Sequence, residues 1–274
     1  MLNGCMDNGE PFRKGFAMRL WARVGLFCGL SLSLTLSWAG DSLVTVPTRD
    51  GQSISYWWMP KEDASATVIL LSGGGGGIGF RDGQPRSNNF LIRSRESFRD
   101  EGWNVALLGN PTDRRDMDDA WRTSDAHRTD VQNVMADIRA RSTAPIWLVG
   151  TSRGTVSATA LALALQEQLS GLVLTASITS YKEVAAVPRQ AIGQLRLPVL
   201  IYHHQRDACH ITQAHEAGNI LRGLTQARVK KLMVVDGGQN PTGNPCQALH
   251  WHGFIGMEER AVQDIAAWMR DPRP

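Results

Sequence analysis

The chain has 274 residues, of which 42% are apolar and 20% are charged, and its formal net charge at pH 7 is +3. These values are ordinary for a globular protein, exclude a low-complexity chain and suit one large α/β domain. So small a positive excess gives no reason to expect a nucleic-acid partner.

The first 39 residues are predicted to be a secretory signal peptide. Basic residues precede an apolar run from 24 to 38, and Ser37 and Ala39 supply small residues for cleavage after Ala39. The polar stretch before Met18 is long for such a segment, so a true start at Met18 is an open alternative. The run is shorter than the roughly 20 residues of a spanning helix. We therefore expect a periplasmic or secreted protein without a stable membrane anchor, and a single domain over 40–274.

The four cysteines divide between this segment and the mature chain. Cys5 and Cys28 would be removed, which leaves Cys209 and Cys246. Two cysteines in an exported chain favour one disulfide. Histidines at 203, 204 and 210 lie close to Cys209 in the sequence, but their spacing matches no tetrahedral zinc pattern, so no metal is expected.

Strands and helices alternate along the mature chain. Apolar or alternating runs predict strands at 43–46, 53–58, 66–71, 103–108, 146–149, 171–175, 199–202 and 231–235. Helical spacing predicts helices at 88–101, 123–140, 156–165, 213–224 and 257–269. Asp50-Gly51 between the first two strands indicates an antiparallel hairpin. The remaining alternation predicts a mostly parallel sheet of about eight strands with helices on both faces, and the loop after 175 leaves room for a small cap or none.

The segment Gly150-Thr151-Ser152-Arg153-Gly154 lies between a predicted strand and a predicted helix. This context turns G-x-S-x-G into a nucleophile elbow, in which the serine occupies a strained turn. Glycines two residues before and after remove side chains that would collide with the strand and the helix. Ser152 is therefore the candidate nucleophile, and the backbone N–H of Arg153 is a candidate oxyanion donor.

A serine nucleophile needs a base, and the base needs an orienting carboxylate. Asp207 follows the strand at 199–202, and His252 lies after the last strand, which gives the chain order serine, acid, histidine. His250 is an alternative base. Asp236, beside the turn Gly237-Gly238, and Asp113, which precedes the serine, are weaker candidates for the acid.

A run of glycines follows the strand at 66–71. Gly74, Gly76 and Gly79 satisfy G-x-G-x-x-G, but polyglycine satisfies almost any glycine pattern, and the Gly-Lys-Ser/Thr of a phosphate loop is missing. We therefore expect no nucleotide cofactor. In folds with a nucleophile elbow, the loop after this strand supplies a second backbone N–H to the oxyanion. Gly74 is the candidate, with Gly75 as its neighbour; a merely flexible loop is the alternative.

Taken together, the glycine loop at 73–79, the elbow at 150–154, Asp207 and His252 resemble the α/β-hydrolase superfamily. The likeness is greatest to exported, dienelactone-hydrolase-like members, and it covers nearly all of the mature chain. It implies that Ser152 is the nucleophile, that His252 is the general base and acid, and that Asp207 orients His252. Ser72 stands where many relatives carry histidine. Arg153 is charged where a neutral residue is common, and we expect its guanidinium to pair with a carboxylate.

The resemblance implies a serine hydrolase that cleaves an ester-like bond of a small molecule without a cofactor. Amide or thioester substrates are alternatives within the same chemistry. A non-catalytic binding protein on the same scaffold is the alternative of another class, because a fold alone does not determine function. The sequence carries no signal for an oligomeric state.

Overall fold

The computed structural model describes residues 40–274. The predicted signal peptide at 1–39, the alternative start at Met18, and both Cys5 and Cys28 lie outside the described residues. The strands are β1 (Ser42–Pro47), β2 (Ser53–Met59), β3 (Ala66–Leu71), β4 (Phe80–Arg81), β5 (Gln84–Pro85), β6 (Trp103–Pro111), β7 (Ile146–Thr151), β8 (Gly171–Thr175), β9 (Val199–His204) and β10 (Lys230–Val235). The helices are α1 (Phe90–Arg93), α2 (Arg95–Asp100), α3 (Asp119–Arg122), α4 (Asp125–Arg141), α5 (Gly154–Leu165), α6 (Ala217–Gly223) and α7 (Glu258–Arg270).

Eight of these strands form one sheet in the order β1-β2-β6-β3-β7-β8-β9-β10, and β4 and β5 form a separate small hairpin. The pairs β1–β2 and β2–β6 are antiparallel. All the other pairs in this sheet are parallel. The predicted mostly parallel sheet of about eight strands, with a hairpin at one edge, is therefore confirmed.

Two apolar layers cover the two faces of the sheet. On β3, Ile69 and Leu71 belong to one layer, while Val68 and Leu70 belong to the other. Helices α4, α5 and α6 contribute to the first layer, and α1, α2 and α7 to the second. Because strand side chains alternate between faces, a strand buried on both faces is apolar at nearly every position; in β3 the exception is Thr67, which accepts a hydrogen bond from Asn104.

The structure differs from the predicted elements in several places. The β4–β5 hairpin was not predicted, β6 continues to Pro111, and the predicted helix at 213–224 is a 3-10 turn followed by the shorter α6. The predicted helix at 88–101 is two short helices, since Ser94 ends α1 and precedes α2. Strand β9 continues through His203 and His204, two residues past the predicted end. Helix α3 was not predicted, because its four residues are too few to show helical spacing.

The carboxyl ends of the parallel strands lie at one edge of the sheet, and the loops that carry Ser152, Asp207 and His252 leave from this edge. The connection from β8 to β9 contains the single-turn 3-10 helices Val187–Arg189 and Ile192–Gln194, so no lid domain is built there. None of the helices within 40–274 has the length and the apolar character needed to cross a bilayer.

Candidate active site

Ser152 occupies the sharp turn between β7 and α5. Its φ is +53°, which is unusual for a residue with a side chain and costs roughly 1–3 kcal/mol. A Cβ on Gly150 would lie 2.7 Å from the carbonyl oxygen of Gly154, and a Cβ on Gly154 would lie 2.0 Å from that of Leu71. Glycine is therefore required at both positions by close backbone contacts, as the elbow interpretation of the sequence predicts.

The glycine loop packs directly against this serine. A Cβ on Gly73 would lie 2.7 Å from Ser152 Cβ and 3.3 Å from its Oγ. Gly73 was not singled out from the sequence, since every glycine in a run of five looks alike. Its role is to let the loop approach the serine.

Three backbone N–H groups near Ser152 have no acceptor among the described residues. The N–H of Gly76 donates to the carbonyl of Gly73 at 3.1 Å, which closes a turn with Gly74 at φ +58°. No hydrogen bond uses the N–H of Gly74 or of Gly75 in the central part of this turn, nor that of Arg153. The Arg153 N–H also lies at the beginning of α5, where the helix dipole favours negative charge. These are the donors that an oxyanion at Ser152 would need.

Asp207 and His252 form a buried pair. Asp207 follows the carboxyl end of β9, and its Oδ2 accepts a hydrogen bond of 2.9 Å from Nδ1 of His252. The two side chains are 0% and 5% exposed. Since Nδ1 donates its proton to the carboxylate, the lone pair of the neutral ring is on Nε2, where it can accept a proton.

Further groups hold Asp207 in place. Thr212 Oγ1 donates to Asp207 Oδ2 at 2.9 Å and lies 3.1 Å from His252 Nδ1, while the N–H of Cys209 donates to Asp207 Oδ1 at 3.0 Å. Three donors thus converge on one buried carboxylate and fix its orientation. Thr212 was missed in the sequence, and no local pattern marks it.

Ser152 and His252 line one cavity of about 320 Å³ at this edge of the sheet. No hydrogen bond connects their side chains in the described part of the chain; such contacts are often loose before a substrate binds. The rest of the cavity lining is mostly small or polar and contains no Asp, Glu, Lys or Arg: Gly73, Gly74, Gly75, Gly76, Ser87, Asn88, Asn89, Phe90, Thr151, Cys246, Ala248 and Gly253. The cavity can therefore hold a small uncharged group against the serine.

The alternative acids, Asp236 and Asp113, and the alternative base, His250, do not line this cavity. Asp236 accepts hydrogen bonds from the N–H of Gly237 and from Arg206, and Asp113 pairs with Arg49. His250 Nδ1 has no hydrogen-bond partner among the described residues, and its ring lies edge-on to Trp251. The geometry thus favours Asp207 and His252 over each alternative.

Cys209 and Cys246 are joined in a disulfide, with a Cα–Cα distance of 4.5 Å. Nδ1 of His210 lies 3.7 Å from Cys246 Sγ, so the three side chains form a compact cluster. Disulfide sulfurs are not thiolates, and thiolates are the form in which cysteine binds metals. The two cysteines are therefore bonded to each other and do not offer the thiolates that a metal would bind. Their disulfide connects the loop of Asp207 to the loop of His252.

His203 and His204 have structural contacts next to the site. His203 Nε2 accepts the N–H of Ser177 at 3.0 Å, and burial lowers the pKa of His203 to about 4. His204 Nδ1 accepts the N–H of Arg206, and its ring stacks on Trp251. Both rings accept backbone N–H groups, which requires a lone pair and explains why neutral histidines end β9.

Arg153 and Arg122 are the two arginines nearest to the elbow. Arg153 pairs with Asp119 at 2.5 Å and approaches Glu183 at 3.7 Å, as expected for this guanidinium. Arg122 is 1% exposed and was missed in the sequence. Burial lowers the pKa of Arg122 to about 10, so this side chain still carries its charge at neutral pH.

The glycine run does not lead into a helix. It is followed by the β4–β5 hairpin, whereas a dinucleotide-binding G-x-G-x-x-G opens a helix whose N-terminus holds the pyrophosphate. The alternative of a nucleotide site therefore has no structural support at this position.

No protein-family profile and no curated protein sequence matches the chain. Solved structures with a similar fold include an α/β serine hydrolase without a lid from Xanthomonas campestris, at 16% identity and a TM-score of 0.56 over 85% of this chain and 93% of that one. The Pyrococcus furiosus esterase Pf2001 is 14% identical, with a TM-score of 0.61 over 84% of this chain and 90% of that one. A cold-adapted esterase from an Arctic intertidal metagenomic library is 15% identical, with a TM-score of 0.57 over 85% of this chain and 99% of that one. The chain described here has the α/β-hydrolase fold.

Proposed function

We propose that the protein is a carboxylesterase-like serine hydrolase that cleaves an ester-like bond of a small molecule through an acyl-enzyme. The observation that carries the proposal is one cavity lined both by a serine at φ +53° and by a histidine bonded to a buried aspartate. A strained serine and a buried carboxylate are both costly, and nucleophilic catalysis explains why they occur together. The fold shared with known esterases adds support by analogy.

The proposed reaction has two halves. Ser152 Oγ attacks the carbonyl carbon while His252 Nε2 takes the hydroxyl proton, and the N–H groups of Arg153 and Gly74 bind the oxyanion. The carbon–oxygen bond to the alcohol then breaks, and the alcohol leaves with the proton from His252. Water attacks the acyl-enzyme by the same route, releases the acid and returns the proton to Ser152 Oγ. Asp207 orients the ring of His252 and stabilises the imidazolium that forms.

The cavity favours small uncharged acyl groups. Its volume is about 320 Å³, and no Asp, Glu, Lys or Arg is among its lining residues. A long acyl chain or a free carboxylate on the substrate would find neither room nor a charged partner there. We therefore expect esters of short acids to be cleaved faster than esters of long acids.

A fluorophosphonate probe tests the nucleophile. The protein should become labelled at Ser152, and Ser152→Ala should abolish both labelling and ester hydrolysis while the fold is retained, because the triad acts as a unit. The matched control is Ser157→Ala on α5, which removes a buried serine outside the cavity. Labelling of a folded Ser152→Ala protein at wild-type rate would contradict the proposal.

Chromogenic esters of graded chain length, together with amide and thioester analogues, test the substrate class. Turnover should be highest with short esters. A folded protein that binds such esters but neither hydrolyses them nor reacts with the probe would favour the alternative of a non-catalytic binding protein.

The proposed location is the periplasm or the outside of the cell, which follows from the signal peptide predicted at 1–39. N-terminal sequencing of the protein purified from the cell envelope or the medium tests this location. The mature chain should begin at Gly40, and an uncleaved chain in the cytoplasm would contradict it.

A further inference from the structure

Arg122 is a buried cation directly behind the glycine loop. Its Nη2 donates to the carbonyl oxygen of Gly74 at 2.9 Å, its Nε to that of Met117 at 3.1 Å, and its Nη1 to Ser157 Oγ at 3.0 Å. The side chain is 1% exposed, and no carboxylate of the described residues forms a salt bridge with it, since the nearby Asp119 pairs with Arg153. A buried charge without a salt-bridge partner is costly for stability. Packing alone therefore does not explain why an arginine is buried at this position.

The contact with Gly74 determines where the next N–H points. In a trans peptide the C=O and the following N–H point in opposite directions. A donor that holds the Gly74 carbonyl on the Arg122 side therefore turns the N–H of Gly75 away from Arg122. This N–H has no acceptor among the described residues, and both glycines line the cavity beside Ser152.

The next peptide of the loop is also held by hydrogen bonds. The carbonyl of Gly75 accepts the N–H of Met117 at 2.8 Å and Nδ2 of Asn110 at 3.2 Å. Arg122 also holds the carbonyl of Met117, so one guanidinium connects the glycine loop to the segment that supports it. The glycine loop is therefore held in place by hydrogen bonds, and Arg122 is the charged residue among their donors.

We propose that Arg122 is the positioning residue of the oxyanion hole: it holds and polarises the Gly74–Gly75 peptide so that the N–H of Gly75 joins those of Gly74 and Arg153 in binding the developing oxyanion. The inference rests on the proposed serine-hydrolase function. A charged donor on a carbonyl strengthens the hydrogen bond that the same peptide donates, and this effect is greater in a dry interior than in water. The effect grows as negative charge develops on the carbonyl oxygen, so it is greater in the transition state than in the bound ester.

Three substitutions separate the roles of charge and hydrogen bond. Arg122→Met removes both, Arg122→Gln keeps a donor without the charge, and Arg122→Lys keeps the charge on a smaller group. Direct loss of one oxyanion donor lowers kcat about 10²–10³-fold. Because Arg122 acts through a peptide, we expect about a 10–100-fold loss of kcat for Arg122→Met, a smaller loss for Arg122→Gln and the smallest for Arg122→Lys. KM should change little.

Inhibition by an alkyl boronic acid distinguishes this role from a structural one. The boronate adds to Ser152 Oγ and places a tetrahedral oxygen in the oxyanion hole, so its Ki should rise in proportion to the fall in kcat/KM. The control Ser177→Ala removes a buried hydroxyl that has no hydrogen-bond partner among residues 40–274, and it should retain near wild-type kcat and Ki. Ile138→Ala, a cavity-forming change on α4, should lower the Tm without altering either constant.

The possible outcomes are distinct. An active wild type together with a folded Arg122→Met protein of unchanged kcat and unchanged Ki would overturn the role of Arg122 alone. A fall in kcat with an unchanged boronate Ki would also overturn it, since the loss would not lie in the oxyanion hole. A wild type that neither hydrolyses esters nor reacts with the fluorophosphonate probe would overturn the proposed function and this inference with it.

Discussion

Asp207 and His252 are 45 residues apart in the chain, and their side chains meet at 2.9 Å in the interior of the protein. The carboxylate also accepts from Thr212 Oγ1 and from the N–H of Cys209, so its position is fixed from three sides. The aspartate is thereby held in one orientation, and the imidazole bonded to it lines the same cavity as Ser152.

The two histidines of the loop at 250–252 should differ in importance. His252→Ala should lower kcat by orders of magnitude, because the base that accepts the Ser152 proton would be lost. His250→Ala should have little effect, since its Nδ1 has no hydrogen-bond partner among residues 40–274. Steady-state kinetics of both variants with a short chromogenic ester is the measurement. A greater loss of kcat in His250→Ala than in His252→Ala would identify His250 as the base instead.

Thr212 should contribute to activity through Asp207. In Thr212→Val the hydroxyl that donates to Asp207 Oδ2 is replaced by a methyl group of similar size. A hydrogen bond to a charged group contributes about 1.5–3 kcal/mol, so we expect kcat/KM to fall at least about tenfold. Thr212→Ser keeps the hydroxyl and should stay close to wild type. Equal activity of the two variants would show that the hydroxyl has no role.

The disulfide between Cys209 and Cys246 should support both stability and activity. Its 37-residue separation corresponds to about 4 kcal/mol in the chain-entropy estimate. Because the bond connects the loops of Asp207 and His252, reduction should lower the Tm and the ester turnover together. The double variant Cys209→Ala/Cys246→Ala is the control and should not respond to a reductant.

Mass spectrometry of the unreduced mature protein decides whether the bond forms in the cell. The mass should show one disulfide and no alkylated thiol. Two alkylated thiols in protein purified from an oxidising compartment would contradict the pairing.

His127 on α4 should make the protein sensitive to acid. Burial, with a smaller contribution from the charge of Arg122, lowers the pKa of His127 from the ordinary 6.5 to about 3. Between pH 6.5 and 3 the unfolded chain therefore binds more protons at this residue, and the free energy of unfolding falls as the pH falls. The slope from one such histidine is at most about 1.4 kcal/mol per pH unit, and His203 adds to it between pH 6.5 and about 4.

His127→Leu tests this acid sensitivity. Neither ring nitrogen of His127 has a partner within residues 40–274, so the substitution removes no hydrogen bond. Urea unfolding at several pH values from 7 to 5 should show a smaller slope than in wild type. The control Ile138→Ala should lower the free energy of unfolding by the same amount at each pH. An unchanged slope in His127→Leu would contradict the assignment.

The local sequence contained what is needed to predict the sheet and the elbow. Continuous apolar runs marked the buried strands, and the glycines at 150 and 154 indicated a turn too tight for side chains. Both features depend on neighbours within a few residues, and the contacts of Gly150 and Gly154 agree with them. Ser152, Asp207 and His252 could be selected because each follows a strand, and the carboxyl ends of parallel strands share one edge.

The tertiary structure alone decided which groups support those residues. Thr212, Gly73 and Arg122 come from a loop, a glycine run and a four-residue helix, none of which carries a pattern that distinguishes them. Their partners lie far away in the chain: 40 residues separate Thr212 from His252, and 48 separate Arg122 from Gly74. Hydrogen bonds of this kind depend on where loops meet after the strands have paired. Local spacing determines a strand or a turn, whereas only the packed sheet brings these side chains to the serine, the aspartate and the glycine loop.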